Sequence, residues 1–224
     1  MRYEILSKPS YSAVEVHLEQ GETIVSDSGA MAWMDTTITT KTSTRGGALQ
    51  GLKRKFLAGE SLFQNTHTAT DGPGTIAFAG GSAGDIDVVE LDGGELFLEK
   101  GAYLASDQGV TCDSKWSGLK GFFNEGLFIL RCTGTGTLFF NSYGDLQEID
   151  VDGEYVVDNG YAVAWEPTLD FRLSRARRIR SFLFGDQIIL RFSGRGKLWV
   201  QSRSPQSLAN WAHPFRRVKR RNNN

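Results

Sequence analysis

Few groups in this chain could move a proton at neutral pH, and its three histidines stand apart from one another. His17 lies in VEVHLEQ, which reads as a first strand; His67 lies in the strand-like QNTHTAT; His213 precedes Pro214 in a basic tail. Nucleophilic catalysis needs a Ser, Cys or Thr with a base beside it, and a zinc site needs clustered His, Cys or carboxylate ligands. Neither pattern surrounds any of the three. The pairs Asp85/Asp87 and Asp150/Asp152 have a spacing that puts both carboxylates on one face of a strand, but no calcium-loop pattern accompanies them. They read as solvated acids flanking turns. Cys112 and Cys132 stand 20 residues apart without a CxxC motif, so the expectation is two small buried thiols and no disulfide or zinc site. No catalytic residue, metal or organic cofactor is expected, and the protein is read as no enzyme.

Three Gly-x-Gly steps invite a nucleotide-binding reading: GPGTIAF at 72–78, GTGTLFF at 134–140 and GRGKLWV at 194–200. A dinucleotide fingerprint places such glycines between a strand and a helix whose N-terminus faces the pyrophosphate. Here each step runs at once into β-branched and aromatic residues, which opens a strand instead. The glycines therefore predict tight hairpins with positive φ or close backbone approach.

The elements that hold these groups are short strands. DIDVVEL, ELFLEK, LFILRC, TLFFNS, EYVVD, DFRLSR, IILRFS and KLWVQS run four to eight residues with turn signals between them, which predicts an all-β fold. Two segments differ. Residues 47–59, GALQGLKRKFLAG, have helical spacing of Leu49, Leu52 and Phe56. Residues 204–212 offer a serine N-cap, a proline at the first helical position and an apolar face of Leu208 and Trp211.

Self-similarity organises the whole chain. Gly21-Glu22, Gly94-Glu95 and Gly153-Glu154 each precede a second glycine (Gly29, Gly101, Gly160), then a small apolar stretch, a buried-strand pattern and the Gly-x-Gly step. This predicts β-repeats over 1–91, 92–151 and 152–212, followed by a basic tail at 213–224. Trp33 and Trp165 are expected at corresponding core places. Trp199 is expected where Phe78 and Phe140 stand in the other two repeats.

Composition sets the outer limits. The 224 residues are 40% hydrophobic, enough for a sizeable core, and carry a formal net charge of -1. No apolar run is long enough to span a bilayer, and MRYEILSKPS lacks the apolar centre of a secretory signal. A cytoplasmic location, with peripheral membrane contact left open, is the expectation. The charge is divided along the chain: residues 1–170 hold 11 Lys+Arg against 25 Asp+Glu, and residues 171–224 hold 14 against 1. Such asymmetry points to an anionic partner, a membrane surface or self-association.

Four blocks carry a family resemblance: GALQGLKRKFLAGESLFQNTHTA at 47–69, GPGTIAFAGGSAGDIDVVEL at 72–91, GFFNEGLFILRCTGTGTLFFNSYGDLQEIDV at 121–151 and SGRGKLWVQSRSPQSLANW at 193–211. The chain resembles the family named for altered inheritance of mitochondria, whose fold is similar to the tryptophan RNA-binding attenuation protein. The resemblance implies three fused β-sandwich-like repeats, a homotrimer closing a nine-unit ring, and a scaffold role in mitochondrial biogenesis or membrane stress. The attenuation protein's fold also suggests an alternative, a module binding a small ligand or nucleic acid. Its RNA-binding cations recur in every unit, whereas here they crowd into the third repeat and tail, which argues against nucleic acid.

Two candidate surfaces follow. Lys53, Arg54, Lys55, Phe56 and Leu57 could meet a partner protein or an anionic membrane. A head-to-tail ring joins unlike ends, so Arg175, Arg177, Arg178 and Arg180 of one subunit are expected opposite Glu15, Glu19 and Glu22 of the next.

Overall fold

A computed structural model describes residues 1–44, 63–113, 129–175 and 188–216. It is all-β, as expected, apart from one short α-helix and two 3-10 turns among the described residues. Strands β1 (Arg2–Leu6), β2 (Ala13–Leu18), β3 (Thr23–Asp27), β4 (Met31–Met34), β5 (Ile38–Thr44), β6 (Phe63–Ala69) and β7 (Gly74–Ala79) come first. They are followed by β8 (Ile86–Glu99), β9 (Tyr103–Asp107), β10 (Val110–Asp113) and β11 (Ile129–Asn141), then β12 (Leu146–Asp158), β13 (Ala162–Trp165), β14 (Leu169–Arg175) and β15 (Ile188–Gln201). A four-stranded sheet runs β1-β2-β7-β4. An eleven-stranded sheet runs β12-β15-β13-β8-β11-β9-β3-β6-β5, with β10 added on β11 and β14 on β15.

One pairing scheme occurs three times. A long strand pairs antiparallel with the last strand of its set: β8 with β11 and β12 with β15, while β2 and β3 pair with β7 and β6. The short third strand lies on the final half of that last strand (β4 on β7, β9 on β11, β13 on β15), and in each case the register slips by one residue. The fourth strand lies on its first half (β5 on β6, β10 on β11, β14 on β15). Each set then docks on its predecessor by the same contact, β9 on β3 and β13 on β8. The boundaries expected at 91/92 and 151/152 fall inside β8 and β12, because those strands run straight through their Gly-Glu steps.

The Gly-x-Gly steps correct one expectation. Gly134 and Gly136 lie inside β11, and Gly194 and Gly196 inside β15, so they are not hairpin turns. The close-approach reading holds: Gly134 has φ +127, and a Cβ there would stand 2.1 Å from the Gly109 carbonyl oxygen. The strand crosses the β9–β10 turn at that point. An acid at the start of the turn accepts the N–H just past each step: Asp35 from Thr75, Asp107 from Thr137 and Glu166 from Lys197, all at 2.8 Å. A charge-assisted bond of this kind fixes the crossing.

Apolar side chains form three clusters, and each joins neighbouring sets. Leu104, Ala105 and Phe139 pack with Val16, Ile24 and Phe78; Val163 and Trp199 pack with Leu98 and Phe140; Phe97 and Ile129 pack with Trp165 and Phe192. The cysteine expectation is corrected. β10 and β11 place Cys112 directly opposite Cys132, Cα atoms 4.0 Å apart, and the two are disulfide-bonded and buried. Closing a loop of 20 residues contributes about 3 kcal/mol in the chain-entropy account.

Helix α1 (Pro205–Ala212) forms as expected, with Ser204 accepting from the Ser207 N–H and proline in its first turn. Its apolar residues are not covered: Leu208, Trp211 and the following Phe215 are exposed. No helix among the described residues is long and apolar enough to cross a membrane. The segment expected to be helical at 47–59 lies outside the described residues.

Candidate functional site

β3 and β6 bring together a pair that no local motif reveals. Ser26 Oγ lies 3.0 Å from His67 Nε2, and Thr40 Oγ1 lies 2.8 Å from His67 Nδ1. The geometry resembles a nucleophile and its base, but the hydrogen bonds run the other way. Ser26 Oγ donates its one proton to the Asp27 carbonyl at 2.9 Å, so toward His67 Nε2 it can only accept. Both Ser26 and His67 are fully buried, and the His67 ring packs on Phe78 at 5.5 Å. A substrate has no route to them.

Burial holds the His67 imidazole down at about 4. An unfolded histidine titrates near 6.5, so the unfolded chain binds more protons between these values, and stability falls as pH drops through that window. Replacing His67 by leucine, the residue that β11 and β15 bury at 130 and 190, removes this term. Urea titrations at pH 7 and 4.5 should show the unmodified protein losing about 2–3 kcal/mol more than H67L on acidification. Equal losses would show that His67 is solvated in the folded protein.

A second titratable group lines a small cleft between the second and third sets. Glu99 shares a space of about 70 Å³ with Asn141, Tyr143, Val163 and Gln201. Ligand pockets for organic substrates run to several hundred Å³, so this one holds water-sized guests. Burial pushes the Glu99 carboxyl up to about 7, although the Gly101 N–H donates to its Oε2 at 2.8 Å. Its pH dependence opposes that of His67, which is why the leucine variant is compared with the unmodified protein. No group of three or more His, Cys, Asp or Glu able to hold a metal occurs among the described residues.

Lys53, Arg54, Lys55, Phe56 and Leu57 lie outside the described residues, as do Arg177, Arg178 and Arg180, and Arg175 ends β14. Glu19 and Glu22 meet in the turn after β2, where the Glu19 N–H donates to Glu22 Oε2 at 2.8 Å. Glu15 and Trp33 flank Ala77 on the four-stranded sheet, and the indole Nε1 donates to Glu15 Oε1 at 3.0 Å.

The tryptophan correspondence is corrected. Pairing sets Trp33 against Ala77, as Ala164 lies against Trp199, so Trp165 corresponds to Met34 and not to Trp33. A shift of one residue reverses the face: Trp165 is fully buried, and Trp33 is 47% exposed. Trp199 likewise occupies the place of Phe139 and Ala77, and its Nε1 donates to Asp87 Oδ2 at 3.2 Å.

The profile of the family described as mitochondrial biogenesis AIM24 matches residues 3–203. An uncharacterized protein of Streptococcus pyogenes serotype M6 is 31% identical over 220 residues, 93% of this chain and 88% of that protein. A crystal structure of the protein SPYM3_0169 from Streptococcus pyogenes matches with a TM-score of 0.80 at 28% identity, covering 96% of this chain and 99% of that one.

Proposed function

This chain belongs to the mitochondrial biogenesis AIM24 family, and we propose that it is a non-catalytic scaffold that assembles with two further copies into a closed ring. One observation carries the reading. Among the described residues, the large apolar ones left open on the strands, Met31 and Trp33 on β4 and Tyr155 and Val156 on β12, belong to the first and last sets of the chain. Exposed apolar surface at two ends of one body favours association end to end. The charge division steers that association, with Arg175, Arg177, Arg178 and Arg180 drawn toward Glu15, Glu19 and Glu22. The Ser26 and His67 pair is sealed and the Glu99 cleft is small, so chemistry gains little support from the interior. A ring of this kind would offer the exposed Leu208, Trp211 and Phe215 of each copy, with the basic residues after them, to a protein or an anionic membrane.

Native mass spectrometry of the purified protein tests this. The expected species is about three times the 24.7 kDa chain, without bound ligand. A single chain at micromolar concentration would overturn the scaffold. Stoichiometric small molecule or nucleic acid would favour a binding module instead.

A further inference from the structure

Helix α1 leaves the fold from a point that is firmly held. Ser204 is buried and its Oγ accepts the Ser207 N–H at 3.4 Å, while just before it the Ser202 and Arg203 N–H groups donate to the Asp145 and Tyr143 carbonyls. Beyond that point every residue from 205 to 216 is exposed. The helix is nonetheless two-faced. Leu208, Trp211 and Phe215 stand at i, i+3 and i+7, which sets them on one side, and the Trp211 and Phe215 rings meet with centroids 5.4 Å apart. Gln206 and Asn210 occupy the other side, where the Gln206 Nε2 donates to Asn210 Oδ1 at 2.8 Å. Leu208 is 46% exposed, Trp211 69% and Phe215 75%. An isolated helix of eight residues is marginal in water, and this one buries none of its residues in its own chain.

Charge identifies what this face meets. After Asp186 the sequence has no Asp or Glu, and Arg216, Arg217, Lys219, Arg220 and Arg221 follow Phe215 closely. Like charge sets such tails against one another, which disfavours a second copy of the same tail as the cover. A short helix with Leu, Trp and Phe on one side and cations at its end suits the boundary of a bilayer, where rings settle between headgroups and acyl chains. The cations then meet anionic headgroups. Residues 1–170 hold 25 Asp+Glu against 11 Lys+Arg. An anionic surface repels that body while it attracts the tail, so the contact is confined to one end of the chain.

We infer that α1 and the basic residues after it dock the protein on an anionic lipid bilayer, with Leu208, Trp211 and Phe215 entering the boundary between headgroups and acyl chains. The docking rests on the scaffold reading for avidity alone, because one chain carries the whole contact. Several tails held in one assembly engage a bilayer together, and each further tail then binds at a high effective concentration.

Sedimentation of the full chain with vesicles tests the contact. Vesicles of phosphatidylcholine alone should leave the protein in solution, and vesicles that also contain phosphatidylglycerol should carry it down. Raising salt from about 0.05 to 0.5 M should release it, since screening shortens the reach of the cations. Replacing Arg216 and Arg217 together by glutamine should weaken binding about tenfold or more. Trp211→Ser should weaken it several-fold with the salt dependence unchanged, because it removes apolar contact and no charge. All three residues are exposed or follow the exposed segment, so circular dichroism and native mass should match the unmodified protein, which separates lost docking from lost assembly. Equal sedimentation with neutral vesicles, sedimentation with neither, or full binding by both variants overturns the docking while the scaffold stands. Capture of a single-stranded oligonucleotide in place of vesicles also overturns it. A protein of one-chain mass that still binds anionic vesicles overturns the ring and leaves the docking in place.

Discussion

Trp165→Ala is expected to cost about 3–5 kcal/mol, the range for emptying a buried aromatic site. Trp165 is fully buried, and its ring lies 5.0 Å from Phe171, 5.4 Å from Phe192 and 6.0 Å from Phe97. Phe97 comes from β8, so the indole also seals the joint between the second and third sets. Trp165→Phe should cost far less than the alanine change. The indole Nε1 has no hydrogen-bond partner among the described residues, and a buried unpaired donor carries a desolvation penalty of about 1–3 kcal/mol. Phenylalanine keeps most of the ring contact and removes that penalty. Urea unfolding of the two variants beside the unmodified protein measures the difference. An alanine variant within 1 kcal/mol of the parent would mean that this aromatic cluster does not hold the third set.

What the sequence made legible was whatever depends on neighbours along the chain. Alternation and turn signals gave the all-β fold, and Ser204-Pro205 marked the start of α1, because propensity and capping act locally. What it hid depends on pairing at a distance. Cys112 and Cys132 look like unrelated thiols until β10 and β11 lie in register and set them opposite each other. Ser26 and His67 are 41 residues apart, so a search beside each histidine cannot find the pair. The tryptophans turn on register: the glycine spacing leaves a one-residue ambiguity, and in a strand that is the difference between core and solvent. The open strand of the first set carries a signal in the sequence itself. Met31 and Trp33 are apolar like their buried counterparts, and only their position in the first set distinguishes them.

Gly134→Ala should be among the most damaging single-methyl additions available, at about 3 kcal/mol or more. Two costs add. With φ +127 the residue sits where L side chains are strained by about 1–3 kcal/mol. The new Cβ would also lie 2.1 Å from the Gly109 carbonyl oxygen and 3.3 Å from the Val110 Cα, so backbone on the crossing turn must move, and overpacking of this kind adds about 1–3 kcal/mol. That turn runs directly into β10, which carries Cys112. The damage should therefore spread to the β10 pairing and to Asp107, whose carboxylate accepts the Thr137 N–H just beyond. Gly94 is the control. It pairs directly with Gly134 across the β8–β11 ladder, yet its φ is ordinary and nothing stands within 4 Å of an added Cβ. Gly94→Ala should change stability by no more than about 0.5 kcal/mol, the usual range for an unencumbered surface site. Thermal unfolding of the two variants under identical conditions separates a strand that only passes a turn from one that is pressed against it. If Gly134→Ala proves as mild as Gly94→Ala, β11 does not cross the β9–β10 turn at contact distance, and the role given to the Gly-x-Gly step is wrong.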